Sequence, residues 1–210
     1  MTQQYAFFFN AAVCSGCKAC QMACKDKHDL DPGLLWRRVY EIAGGSWKQR
    51  DGVWTPETAV FNLSIACNHC QKPLCLEACP TGAIRKREDG IVIIDTSKCT
   101  GCRYCEWACP YGALHYDSKK GVMTKCHFCY DRIDKDQSPV CVTACPQRAL
   151  DFGELKSLQK KYGKNNTVYP LAEPSLAEPS LIIHKHRDTD LARQVKATLS
   201  NREEVKHARK

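Results

Sequence analysis

Cys99 to Ala113, CTGCRYCEWACPYGA, is the stretch from which the rest of the chain can be read. Cys99, Cys102 and Cys105 follow one another at intervals of three, and Cys109 comes four positions later, directly before Pro110. Three thiols at that spacing wrap a loop around one inorganic core, with the backbone N–H groups of the loop turned towards it. The cysteine before proline stands on the next helical turn and points away, where a neighbouring core can take it. The same grammar recurs three more times. CSGCKACQMAC holds Cys14, Cys17, Cys20 and Cys24; CNHCQKPLCLEACP holds Cys67, Cys70, Cys75 and Cys79; CHFCYDRIDKDQSPVCVTACP holds Cys126, Cys129, Cys141 and Cys145. Every group opens with CxxC and closes with CxxxC, and the spacer between is two residues in groups one and three, four in group two and eleven in group four. Such self-similarity marks a repeated unit.

Two groups of this kind exchange their fourth ligands, which is the rule of two-cluster bacterial ferredoxins. Groups two and three fit it best. Each ends in CP followed by a turn, Thr81-Gly82-Ala83 and Tyr111-Gly112-Ala113, and only nineteen residues separate Cys79 from Cys99. Within them Ile91 to Asp95 reads as a short strand after the turn Glu88-Asp89-Gly90. Groups one and four each keep an unmatched fourth cysteine and are expected to pair across this inserted half, although group one ends in Lys25 instead of proline. Four [4Fe-4S] clusters follow as expected cofactors, with all sixteen cysteines as metal ligands: Cys14, Cys17, Cys20 with Cys145; Cys126, Cys129, Cys141 with Cys24; Cys67, Cys70, Cys75 with Cys109; and Cys99, Cys102, Cys105 with Cys79.

Structural zinc is the main rival. Zinc ribbons pair two CxxC knuckles a dozen or more residues apart, and a cysteine at CxxxCP has no role in them. Disulfides are the third reading, and repeated vicinal CxxC pairs make a poor staple set. His69 and His127 sit inside CxxC loops, but with four cysteines per cluster they are expected on surface loops and not as ligands. The formal charge of +8 would ordinarily suggest nucleic acid or an anionic membrane as partner. Four oxidised clusters with their sulfurs carry roughly −8 in total, which cancels it, so no nucleic acid is called for. The apolar runs near Tyr5 to Phe9 and Ile91 to Ile94 fall far short of the roughly 20 residues a membrane span needs. The N-terminal run, which lacks a basic leader or twin arginine, reads as a buried strand. No GxGxxG, P-loop, HExxH or nucleophile motif is present, so the chain is expected to be a non-catalytic electron carrier. Lys98, Arg103, Lys125 and Arg148 flank the cysteine groups, where they either raise cluster potentials or are solvated surface charge.

The expected fold class is α+β. Two nested ferredoxin-like halves are expected, an outer one from residues 1–28 and 115–155 and an inner one from 66–114. A β-rich insert spans 29–65, with Leu35 to Ile42 and Ala59 to Ile65 strand-like and Gly44-Gly45 a turn. Trp36, Trp47 and Trp54 are expected in core packing, with cover for a cluster edge or a partner as the alternative. Residues 156–210 read as an extended C-terminal strap and basic tail. LAEPS repeats in Pro170 to Leu181 exclude a helix there. Residues 181–210 hold eight Lys or Arg against four Asp or Glu, suiting either a solvated tail with a short helix from about Asp190 or an arm on a partner.

Across residues 4 to 155 the chain resembles the iron–sulfur (B) subunits of anaerobic dimethyl sulfoxide reductases, within the complex iron–sulfur molybdoenzymes. The likeness lies in the four cysteine groups in order, in YEIAGGSW and DGVW, in KREDGIVIID, in CRYCEWACPYGA, and in KCHFCYDR with CPQRALDFG. The cysteine pattern alone is shared with the partner subunits of formate dehydrogenase, formate hydrogenlyase, and polysulfide and tetrathionate reductases. These are the alternative functional class; a zinc-rich nucleic-acid-binding module is a remote one. The resemblance implies a line of four [4Fe-4S] clusters between a molybdopterin catalytic subunit and a quinol-oxidising integral membrane anchor. The Cys14, Cys17, Cys20, Cys145 cluster would lie nearest the catalytic subunit, and the Cys79, Cys99, Cys102, Cys105 cluster nearest the anchor. In nitrate reductase relatives tryptophan replaces the second cysteine of group three and leaves a three-iron cluster; here that position is Cys102, so a fourth [4Fe-4S] cluster is implied. Membrane association would come through the partner, at the periplasmic face by co-export or at the cytoplasmic face.

Overall fold

The computed structural model describes residues 3–205, so the first two residues and 206–210 of the basic tail lie outside the described residues. Strand β1, Tyr5–Asn10, buries Phe7, Phe8 and Phe9 on both of its faces, which accounts for an apolar run without alternation. It is the centre of a three-stranded sheet. Strand β8, Leu150–Glu154, pairs with it antiparallel, Phe7 opposite Phe152. Strand β9, Leu181–His184, pairs with it parallel, Phe7 opposite Leu181.

Strands β2, Arg38–Arg50, and β3, Val53–Ile65, form one long antiparallel hairpin. Its base is core, with Val39, Ile42, Ala59, Phe61 and Leu63 buried. Gly44-Gly45 is not the expected turn: β2 runs straight through it, and the chain reverses at Asp51-Gly52, both at positive φ. The glycines serve close approach instead, because a Cβ on Gly44 would meet the backbone of Ala197 and one on Gly45 the carbonyl of Glu57. Trp47 and Trp54 are not in the core either; they stand at the far end of the hairpin, 62% and 61% exposed. Strand β10, Thr198–Leu199, adds to the edge of β2. Two small hairpins, β4, Ile84–Lys86, with β5, Val92–Ile94, and β6, Leu114–Asp117, with β7, Val122–Lys125, complete the strands.

The short helices carry or follow cysteines. Helix α1 is Ala19–Lys27, α2 Leu74–Glu77, α3 Tyr104–Ala108, α4 Tyr130–Ile133 and α5 Val140–Thr143. Helix α1 packs on α5, and α2 on α3. After β8 come α6, Leu155–Tyr162, then α7, Thr189–Gln194, and α8, Arg202–Val205. As far as Val205 the C-terminal segment is therefore folded onto the body and is not a solvated tail. Ile182 and Ile183 are buried in β9, and Ala192 of α7 is fully buried. The LAEPS strap lies against group two, where Gln71 and Lys72 donate backbone N–H groups to the carbonyls of Glu178 and Ala177.

Candidate metal centres

The folding of distant loops onto one another gathers the thiols in fours. Cys14, Cys17, Cys20 and Cys145 line a cavity walled by Phe9, Val39 and Leu150. Cys67, Cys70, Cys75 and Cys109 line one with Val92, Ala113 and Ala177 of the strap. Cys79, Cys99, Cys102 and Cys105 line one with Ile84, Ile94 and Met123. Cys24, Cys126, Cys129 and Cys141 form the remaining set, close enough to act on one another electrostatically.

These sets stand in a row. The thiol of Cys20 feels Cys141 of the next set, Cys126 of that set feels Cys67, and Cys75 feels Cys105. The ends of the row reach the surface at the exposed Cys17 and Cys102, whereas all four members of the Cys24 set are buried.

Local backbone explains the loops. CSGC and CTGC place Gly16 and Gly101 at positive φ, and the following Lys18 and Arg103 are left-handed too, at 62° and 66°. The CxxC of groups two and four makes the same bend at His69 and at Phe128 and Cys129. The three CP turns share a device. Gly82, Gly112 and Arg148, three residues after the cysteine, all have positive φ. This turns the next N–H back to the thiol, so that Ala83 faces Cys79, Ala113 faces Cys109, and Ala149 donates to Cys145 Sγ at 3.2 Å. Arg148 adopts the bend without being glycine because its guanidinium donates to the carbonyls of Thr143 and Cys145. Cys24 has no such turn, and the backbone N–H of Arg37 faces it instead.

Burial pushes the Cys14 thiol up to about 11 and those of Cys24, Cys75 and Cys105 to about 12, and neighbouring thiols add to the effect. Such thiols keep their protons until a cationic core displaces them. Cys79 behaves oppositely: burial raises it, but the Thr81 hydroxyl and the N–H groups of Ile84, Thr81 and Ala83 together hold it below its usual value. Met123 and Phe128 N–H groups also donate to Cys99 and Cys126 Sγ, both at 3.4 Å. Side-chain partners complete the set: Ser64 Oγ is 3.2 Å from Cys20 Sγ, and His28 Nε2 is 3.5 Å from Cys129 Sγ.

Apolar walls, four thiols and inward N–H donors fit an iron–sulfur cube. A lone zinc draws its sulfurs to about 2.3 Å from one point. Among the described residues no group of His, Cys, Asp or Glu gathers as a single-ion site; the thiols line a space.

His69 is not on a surface loop, and His127 is half-buried. His69 is fully buried, its Nδ1 accepting from the Val92 N–H at 3.0 Å and its ring edge-on to Phe128. His127 packs edge-on to His28 and Trp36. Of the four flanking cations, Lys125 is buried, donating to the carbonyls of Val92 and Cys126. Lys98 is exposed and pairs with Asp95, and Arg103 pairs with Glu106. Arg37, which no motif marks, is the more deeply buried cation, 2% exposed.

The 4Fe-4S dicluster domain family matches residues 58–155, which takes in groups two, three and four. Over 205 residues the sequence is 47% identical to the B subunit of the anaerobic dimethyl sulfoxide reductase of Escherichia coli (strain K12), covering 98% of this protein and 100% of that one. The corresponding subunit from Haemophilus influenzae is 45% identical over 204 residues, with coverage of 97% and 100%. The thiosulfate reductase electron transfer subunit PhsB of Salmonella typhi is 38% identical over 194 residues, with coverage of 88% and 94%. The first two matches run on through the C-terminal segment. With this identity over nearly its whole length, the protein belongs to the family of anaerobic dimethyl sulfoxide reductase B subunits.

Proposed function

We propose that this chain relays single electrons through four [4Fe-4S] clusters between a quinol-oxidising membrane anchor and the molybdopterin catalytic subunit of a dimethyl sulfoxide reductase-type respiratory complex. The observation that carries this reading is the row of four thiol sets, with one exposed thiol at each end, Cys17 and Cys102, and none exposed in the two middle sets. The ligand sets are Cys14, Cys17, Cys20 and Cys145 on the catalytic-subunit side, then Cys24, Cys126, Cys129 and Cys141, then Cys67, Cys70, Cys75 and Cys109, and finally Cys79, Cys99, Cys102 and Cys105 towards the anchor. The chain is then two nested ferredoxin-like halves, which the packing of α1 on α5 and of α2 on α3 supports.

When bound, such clusters take up and release one electron at a time and make or break no substrate bond. The residues of this chain do the rest. Thiolates hold each core, N–H groups of the CP turns and CxxC loops donate to the sulfurs, and apolar walls keep water from the middle of the row. No helix among the described residues is long and apolar enough to cross a membrane, and the anchor supplies that contact in this reading. Replacing Cys102 by serine in the purified complex tests it. The expected product is a three-iron cluster at the exposed end, with the other three clusters intact and quinol-driven reduction of the catalytic subunit lost. An unchanged electron paramagnetic resonance (EPR) spectrum contradicts the ligand assignment.

A further inference from the structure

Arg37 precedes β2 with its guanidinium buried, lying over the Phe7 ring at 4.7 Å. Nη1 donates to the carbonyl and the hydroxyl of Ser64, at 3.2 Å each, while Nε and Nη2 have no protein partner. The charges that act on it are the thiols of Cys141, Cys20, Cys126 and Cys24, not carboxylates. A buried cation without an anion is costly, and a fold keeps one where something negative is to be met. Arg37 reaches both sides of the gap between the first two thiol sets: through Ser64 Oγ to Cys20, and through its own N–H to Cys24.

We propose that Arg37 is the fixed countercharge shared by the Cys14, Cys17, Cys20, Cys145 and Cys24, Cys126, Cys129, Cys141 sites, and that it raises the reduction potential of both clusters. The inference rests on the proposed relay. One added electron makes a site more negative by one charge, and a guanidinium that cannot lose its proton favours that state. Burial spares the interaction from screening by salt. Lys125 and Arg38, the other buried cations among the described residues, act on Cys75 and Cys109 of the third set, so the third site has countercharges of its own.

The test is an anaerobic EPR-monitored redox titration of the whole complex carrying Arg37→Met, Arg37→Gln or Arg37→Lys. In the neutral variants two of the four midpoints fall, each by at least a tenfold change in the oxidised-to-reduced ratio, about 59 mV for one electron; the other two stay, and lysine restores wild-type values. Glutamine keeps a donor to Ser64, so a shift in that variant comes from charge and not from the hydrogen bond. Loss of a cluster in both neutral variants with four retained in Arg37→Lys is the same result in stronger form. Unchanged midpoints, or loss of the cluster in the lysine variant as well, overturns the proposal. Fewer than four clusters in the wild type would sink the relay reading itself, and the iron count of the wild type reads that separately.

Discussion

A buried thiol that closes a CP turn needs a donor, and left-handed backbone three residues on supplies it. Gly112 and Gly101 show two different demands on such positions. A Cβ on Gly112 meets nothing closer than 3.9 Å, so Gly112→Ala should cost only the left-handed strain, about 1–2 kcal/mol, seen as a small drop in the urea midpoint with iron content unchanged. A Cβ on Gly101 would run into the carbonyl oxygen of Gly121. Gly101→Ala should therefore displace the Cys99–Cys102 loop and lose iron from that site alone, and full iron loading in this variant would refute the close-approach account. At this scale the cysteines and the CP glycines were legible because spacing is a local property. Arg37 was not, since nothing distinguishes it in sequence from its neighbour Arg38; burial and the absence of a carboxylate appear only after β1, β3 and α1 have come together. His69 was misplaced for a related reason: a CxxC loop is solvent-facing only when nothing packs over it, and Phe128 does.

Among the elements, β9, β10, α6 and α8 were the least visible, whereas the short helix expected from about Asp190 is present as α7. Strand β9 has a short apolar core, Leu181 to Ile183, which could have been a strand anywhere; its parallel partner β1 lies some 170 residues away in the chain. Ile182 packs with Ala6, Phe8, Leu155 and Leu158, so Ile182→Ala is expected to cost about 2–5 kcal/mol. Leu176, half exposed in the strap, should change stability by less than about 0.5 kcal/mol when replaced by alanine; equal urea midpoints for the two variants would argue that β9 is not core. Helix α8 is held differently, by Lys18 paired with Glu204 at 2.6 Å. The Glu204 hydrogen bond, ahead of Glu41, raises the Lys18 ammonium above its ordinary 10.5. Burial works against the Glu204 carboxylate, but Lys18 and Asn201 outweigh it and lower it below 4.5. The glutamate contribution is thus present above about pH 4.5 and fades as pH falls through its lowered value, and the lysine contribution fades only as pH rises past 10.5. The hydrogen-exchange protection factors of residues 198–205, corrected for the intrinsic pH dependence of exchange, should be flat between those limits and lower in Glu204→Gln at pH 7, by the modest factor a surface pair provides.

For the whole molecule, the burial of so many thiols makes little sense without what they hold. Cysteines contribute to both larger buried clusters, and the loops between them are irregular. The protein stripped of metal is expected to be largely unfolded, and native-like circular dichroism after complete iron removal would count against that. The α+β class and the repeated unit could be read from the sequence because each cysteine group is contiguous. The order of the sites in a row came only from the family resemblance and not from the cysteine spacing, since it arises where separate groups meet, Cys20 beside Cys141 and Cys126 beside Cys67. The same order gives the charge balance its meaning: the excess of +8 is partly internal, with Arg37 and Lys125 beside the buried middle of the row. The most direct test of this account is metal and acid-labile sulfide analysis of the anaerobically purified protein in complex with its partners. About 16 iron and about 16 sulfide per chain, with four separate one-electron midpoints, is the predicted result; about 4 zinc with no labile sulfide, or half the iron, would contradict it.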